Sequence, residues 1–322
     1  MRRFTAIVST AVVAAVASTA IVSAAPSVAA VPATLTLPAP TGPFPVGRAV
    51  VHLTDPDRAD PWVPDRRREL MVSLWYPAVP GGGTPARYVA PEESRLILAS
   101  LGAGELPGDL LATTRVHARD GARVLPWPGG WPLVVLSPGF SFSRSSLTSL
   151  AEDLASRGYI VAGIDHTYEA AAVRFPDGRV LGCLVCQRDL DEATAVAAAT
   201  GRAADVSFVL DELTGPDPAW RGAATIDARR VAMVGHSLGG AAAANTMLAD
   251  RRVDAGVNMD GTFFPPVTTG LDRPFLMLNE QTQGRPDADD TWDTTWSQLT
   301  GWRRWLSVDG MTHSSFTDYG VL

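Results

Sequence analysis

From Trp131 onward the chain alternates two kinds of segment. Short, nearly unbroken apolar runs read as strands: "WPLVVLS" (131–137), "YIVAGID" (159–165), "RRVAMVG" (229–235), "VDAGVNMD" (253–260), "PFLMLNE" (274–280) and "RRWLSVDG" (303–310). Between them, residues 145–158, 191–213, 238–250 and 287–301 read as helices. Strands that are apolar on both faces and alternate with helices predict an α/β fold, with a mostly parallel central sheet and helices on both faces. The first third is less regular. "RAVVHL" (48–53) and "ELMVSLWYP" (69–77) read as strands around an Asp/Pro-rich connection, which predicts an antiparallel opening to the sheet. Residues 31–47 are Pro-rich and read as an extended lead-in. A short helix is expected from Pro91 with Gly102 after it, inside residues 86–124, a candidate cap-like insertion. There is no internal repeat.

The first thirty residues differ from the rest. Arg2 and Arg3 precede an apolar stretch from Phe4 to about Val22, followed by the small-residue run "SAAPSVAA". This is the order of a secretory signal peptide over residues 1–30, which leaves residues 31–322 as a single domain and the protein secreted. The high Ala, Ser and Thr content argues against a permanent membrane span. Removing Arg2 and Arg3 takes the formal charge from −7 to about −9. So acidic a protein is a poor partner for nucleic acid or anionic lipid. All 27 Lys+Arg residues are Arg. That excludes a Schiff-base lysine, a Ser-Lys dyad and a P-loop lysine. Cys183 and Cys186 are the only cysteines, and two ligands do not close a structural zinc site. In an oxidising compartment they predict a short local disulfide.

The candidate chemistry lies at "VGHSLGG". Ser237 stands between an expected strand and an expected helix, which is the setting of a nucleophile elbow. The glycines at 235 and 239 suit a sharp turn in which backbones come close. Five histidines occur, and only His313 follows Ser237, in a loop just past the last strand. On this fold the base comes after the acid and the acid after the serine. Two carboxylates end strands in that interval, Asp260 in "NMDG" and Glu280 in "LMLNE", and strand position alone favours neither. An oxyanion hole needs two N–H donors; Leu238 and Phe140, the latter after Gly139 in "SPGF", are the candidates.

The segments "RELMVSLWYPA", "LVVLSPGF", "LASRGYIVAGIDH", "GHSLGGA", "NMDGTFFP", "PFLMLNE" and "THSSFTD" occur in an order that resembles the platelet-activating-factor acetylhydrolase family, over roughly residues 40–320. The resemblance implies an α/β-hydrolase serine esterase without metal or other cofactor. It also implies that the acid is Asp260. Pro138 departs from the pattern, where relatives often carry His before the oxyanion glycine, and the Cys183–Cys186 pair is a local addition. The expected activity is hydrolysis of short-chain acyl esters, including lipid acetyl esters, with a small-molecule or lipid ester as partner. Transient contact with a lipid or polymer surface fits the alternative, a lipase or cutinase-like polyester hydrolase. A binding protein on a hydrolase scaffold is the non-enzymatic alternative. Trp292 and Trp296, one turn apart, are expected to pack their helix, and Trp302 and Trp305 to flank the last strand. The acids in "DADD" (287–290) suit a helix N-terminus as well as they suit calcium.

Overall fold

The computed structural model describes residues 34–188, 191–280 and 289–322. The signal-peptide segment and Asp287 lie outside the described residues. The strands are β1 (Val46–Ala59), β2 (Arg67–Pro77), β3 (Thr84–Pro85), β4 (Arg119–Asp120), β5 (Trp131–Ser137), β6 (Ile160–His166), β7 (Val173–Arg174), β8 (Val180–Leu181), β9 (Ile226–His236), β10 (Ala255–Met259), β11 (Phe275–Glu280) and β12 (Arg303–Val308). The helices are α1 (Pro91–Ser100), α2 (Thr148–Ser156), α3 (Glu192–Thr214), α4 (Leu238–Ala249) and α5 (Thr291–Gln298).

One sheet takes ten of the strands in the order β12-β11-β10-β9-β5-β6-β2-β1-β4-β3. From β12 to β6 every neighbouring pair is parallel. β2 then joins β6 antiparallel and β1 joins β2 antiparallel, which is the antiparallel opening expected from the sequence. The strand order reverses at β5, between β9 and β6. In open α/β sheets, ligands bind beyond the strand C-termini at such a reversal. Ser137 and His236 are the last residues of the two strands on one side of it.

The apolar runs are buried as the pattern requires. Leu133, Val135, Ile160, Ala162, Met233 and Met277 join Val206, Val209, Leu213 and Ala243 from α3 and α4 in the main core. The other face packs Val134, Leu136 and Val161 against Leu147, Ala151 and Ala155 around α2. Alanines dominate α4, so the helix can lie close to the sheet; Ala242, Ala243 and Ala244 are buried.

Three elements differ from the sequence reading. β1 runs on through "TDPDRA", because Asp55 is paired in register with Arg68 and a bulge absorbs the extra residues before Ala59 meets Arg67. The helix expected from 145 begins with a 3₁₀ turn, Arg144–Leu147, and becomes α-helical at Thr148. α5 starts only at Thr291, where Asp289 Oδ1 accepts the Thr291 N–H. Trp292 is buried in the core beside Trp305, and Trp296 packs on Trp305, as expected; Trp302 is exposed. Residues 86–124 are stitched to the far edge of the sheet by β4, and their α1 packs with Leu37, Leu110, Leu111 and Ala172. Among the described residues no helix is long and apolar enough to cross a membrane.

Candidate active site

Ser237 follows β9 directly and caps α4. Its backbone sits at φ 53°, ψ −124°, a conformation that costs a non-glycine residue energy and survives only where the surroundings fix it. Two backbone hydrogen bonds do so. The Ser237 N–H donates to Met259 O at 2.8 Å, and Ser237 O accepts from Gly240 N–H at 2.8 Å. A side chain at Gly235 would run into the Gly239 carbonyl, and one at Gly239 into the Ser137 carbonyl. The glycines therefore answer a spatial demand: β5, β9 and the start of α4 meet here.

Asp260 lies one residue past β10 and also has a positive φ, 60°. It is buried and accepts a hydrogen bond from His313 Nδ1 at 2.6 Å. Its other oxygen accepts the Glu280 N–H at 2.9 Å. Burial opposes its ionisation, but the bonds from His313 and from Glu280 N–H prevail and hold its pKa below the ordinary aspartate value. Glu280, the other carboxylate read from the sequence, thus serves Asp260 through its backbone. His313 begins a short 3₁₀ turn after β12, and its side chain is 49% exposed, open to a ligand. Ser237 Oγ and His313 are not hydrogen-bonded to each other among the described residues. Such bonds often tighten only around a bound substrate.

His236 was not singled out in the sequence, and it backs His313. The rings lie 4.5 Å apart, and His236 Nε2 donates to the His313 carbonyl at 2.9 Å. That bond fixes the proton on Nε2. Burial, then the neighbouring His313, push the His236 pKa down to about 4, so the ring is neutral at ordinary pH. Phe142 stacks on its other side and meets Tyr319 edge-on. The only advance signal was that an aromatic, polar residue directly precedes the serine.

The candidate oxyanion donors belong to segments that adjoin Ser237. Leu238 is the first residue of α4, where N–H groups have no carbonyl partner within the helix. The loop Pro138–Phe140 passes over the serine so closely that a Cβ on Gly139 would lie 2.8 Å from His236 Nδ1 and 3.3 Å from Ser237 Cβ. Phe140 N–H has no acceptor among the described residues. Phe140 and Leu238 share one apolar cluster with Trp62, Val185, Cys183 and Leu184. Cys183 and Cys186 are disulfide-bonded, as expected, and the short turn they close packs in that cluster. A cavity of about 520 Å³ lies elsewhere, between the β1–β2 face and residues 84–93, and none of Ser237, Asp260 and His313 lines it. The hydrogen-bonded geometry around Ser237 is the stronger guide to chemistry, since volume alone performs none. Among the described residues no cluster of three or more His, Cys, Asp or Glu is arranged to hold a metal.

A serine on a strained elbow and a histidine–aspartate pair suit acyl transfer. Comparison with known proteins bears on the reaction class. The family model described as platelet-activating factor acetylhydrolase, isoform II, matches residues 29–177 and 222–322. The chain belongs to this family. A probable 1-alkyl-2-acetylglycerophosphocholine esterase from Arthroderma benhamiae is 27% identical over 90% of this chain and 78% of its own. The platelet-activating factor acetylhydrolase of Cavia porcellus is 24% identical over 88% of this chain and 69% of its own. Among solved structures, a ferulic acid esterase from Streptomyces cinnamoneus superposes with a TM-score of 0.80 at 46% identity, over 88% of this chain and 79% of that one. This acetylhydrolase-family member has the α/β-hydrolase fold and is a carboxylic-ester hydrolase.

Proposed function

We propose that this family member hydrolyses short-chain acyl esters, lipid acetyl esters among them, through Ser237, His313 and Asp260. The observation that carries the reading is the 2.6 Å bond from His313 to a buried Asp260, next to a serine held at a strained strand-to-helix turn. His313 takes the Ser237 proton as the hydroxyl attacks the ester carbonyl. Asp260 orients the ring and stabilises its cation. The amides of Phe140 and Leu238 receive the oxyanion, the alcohol leaves with the proton from His313, and water then releases the acid by the same steps.

Export completes the reading. Residues 1–30 act as a signal peptide, residues 31–322 are the exported domain with 86–124 as a cap-like insertion, and the disulfide forms outside the cytoplasm. The 46% identical ferulic acid esterase supports a second substrate class, esters of hydroxycinnamic acids. A panel of p-nitrophenyl acetate, p-nitrophenyl octanoate, methyl ferulate and a 2-acetyl phospholipid separates the classes. Under the reading, acetate leads the panel. Methyl ferulate ahead of acetate would move the assignment to the second class.

The triad is tested with a fluorophosphonate probe and with kinetics. Wild type is labelled on Ser237, and Ser237→Ala is not. His313→Ala folds and loses on the order of 10³-fold or more in turnover. A folded His313→Ala variant with near-normal activity would remove the assignment.

A further inference from the structure

A second Ser–His–Asp series lies inside the molecule. Ser137 ends β5, His166 ends β6, and Asp205 comes from α3; all three are buried. His166 Nδ1 donates to Asp205 Oδ2 at 2.8 Å, and His166 Nε2 lies 2.9 Å from Ser137 Oγ. Ser137 has no exposed surface, so no substrate reaches it. Burial, then Arg202, lower the His166 pKa, against the opposing pull of Asp205. A neutral ring with its proton on Nδ1 accepts at Nε2, so the Ser137 hydroxyl donates to it and turns its lone pairs the other way.

What lies that way is the loop carrying Phe140. Arg202 Nη1 donates to Pro138 O at 2.6 Å and lies 3.4 Å from Ser137 Oγ. Its Nε donates to Glu169 Oε2 at 2.7 Å. The Glu169 backbone accepts the Ser141 N–H at 2.9 Å, and Ser141 O accepts the Ala171 N–H. Arg68 closes the network, donating to Asp60, Asp205 and Glu169. The same cluster therefore grips the loop before Phe140, at Ser137 and Pro138, and after it, at Ser141. Within the loop one bond, from the Phe142 N–H to Gly139 O at 3.2 Å, closes a turn around Phe140, and Ser141 sits in that turn at a positive φ of 66°, a conformation that persists only where the surroundings hold it.

We propose that Arg202 is a positioning residue for catalysis: held by Glu169 and by the Asp205–His166–Ser137 chain, it fixes the Pro138 carbonyl and thereby aims the Phe140 N–H at the oxyanion. The inference rests on the reading of Ser237 as nucleophile and Phe140 as donor. A donor helps only when it is held within a fraction of an ångström of the productive position. Loss of one oxyanion donor costs on the order of 10²–10³ in kcat, and a loosened donor costs part of that.

The test compares variants of the full chain on p-nitrophenyl acetate. Arg202→Gln lowers kcat by roughly 10- to 100-fold, with KM within about threefold. The acid limb of its kcat/KM profile stays where wild type has it, because the His313–Asp260 pair is untouched. Arg202→Lys, which keeps a charged donor, recovers part of kcat. Leu213→Ala, a cavity in the core from the same helix, loses stability without losing kcat and calibrates any purely structural effect. Should both Arg202 variants fail to fold, Ser137→Ala and His166→Gln, which keep the Arg202–Glu169 ion pair, must lower kcat in the same pattern. A folded Arg202→Gln with kcat within twofold of wild type overturns the proposal. So does a kcat loss matched by Leu213→Ala at equal loss of stability, or wild-type kcat in folded Ser137→Ala and His166→Gln. Full activity in Ser237→Ala would instead remove the reading beneath it, and the proposal with it.

Discussion

Asp260 and Glu280 divide between them a role that strand position alone could not assign. The carboxylate of Asp260 meets His313, and Glu280 supplies a backbone N–H to that carboxylate. Asp260→Asn is therefore expected to lower turnover by on the order of 10⁴-fold, since the amide favours the wrong imidazole tautomer. Glu280→Gln keeps the backbone donor and should change turnover less than about threefold. Steady-state kinetics on both variants decides, and the opposite ranking would move the acid to β11. His236 makes a second prediction, in stability. Its native pKa, near 4, lies below the value of about 6.5 in an unfolded chain. Between those values the unfolded state binds a proton that the native state refuses. The stabilisation from this group is complete above about pH 6.5 and is lost as the pH falls toward 4. Urea titrations of wild type and His236→Asn should show their stability gap closing by up to about 3 kcal/mol between pH 7 and pH 4. A gap independent of pH would mean that His236 is not held neutral.

Elements show where sequence reading succeeds and where it stops. Strand and helix alternation from Trp131 on was legible because each strand is buried on both faces and so carries an unbroken apolar run. β1 extends beyond its apolar run, because a bulge between Asp55 and Ala59 accommodates the Asp/Pro stretch and Arg58 pairs with Asp55, neither of which an apolar pattern reveals. The disulfide was legible from two cysteines and an export signal; its placement in the cluster beside Phe140 and Leu238 was not, since that depends on tertiary packing. A ring this small removes little freedom from the unfolded chain, about 2 kcal/mol at most by chain entropy. Cys183→Ser with Cys186→Ser should thus fold and melt only a few degrees lower, as scanning calorimetry would register. A loss of folding would show that the bond holds more than its own turn.

At the scale of the whole molecule, the sheet order is what creates the site. The order of Ser237, Asp260 and His313 along the chain was readable, and the meeting of Asp260 with His313 agrees with it. The Ser137–His166–Asp205 chain was not readable, because its members come from two strands and a helix that only the β5–β6 pairing and the packing of α3 bring together. The elbow at Ser237 also has a consequence for anyone who breeds this enzyme for heat tolerance. A glycine at 237 would occupy that backbone without penalty, so Ser237→Gly should raise the melting point, by about 1 kcal/mol of stability, while ending ester hydrolysis. A calorimetric scan showing a lower melting point would mean that the turn is unstrained. If it melts higher, a screen that rewards survival alone will enrich inert molecules at this position, and only a screen that also scores turnover will keep the serine.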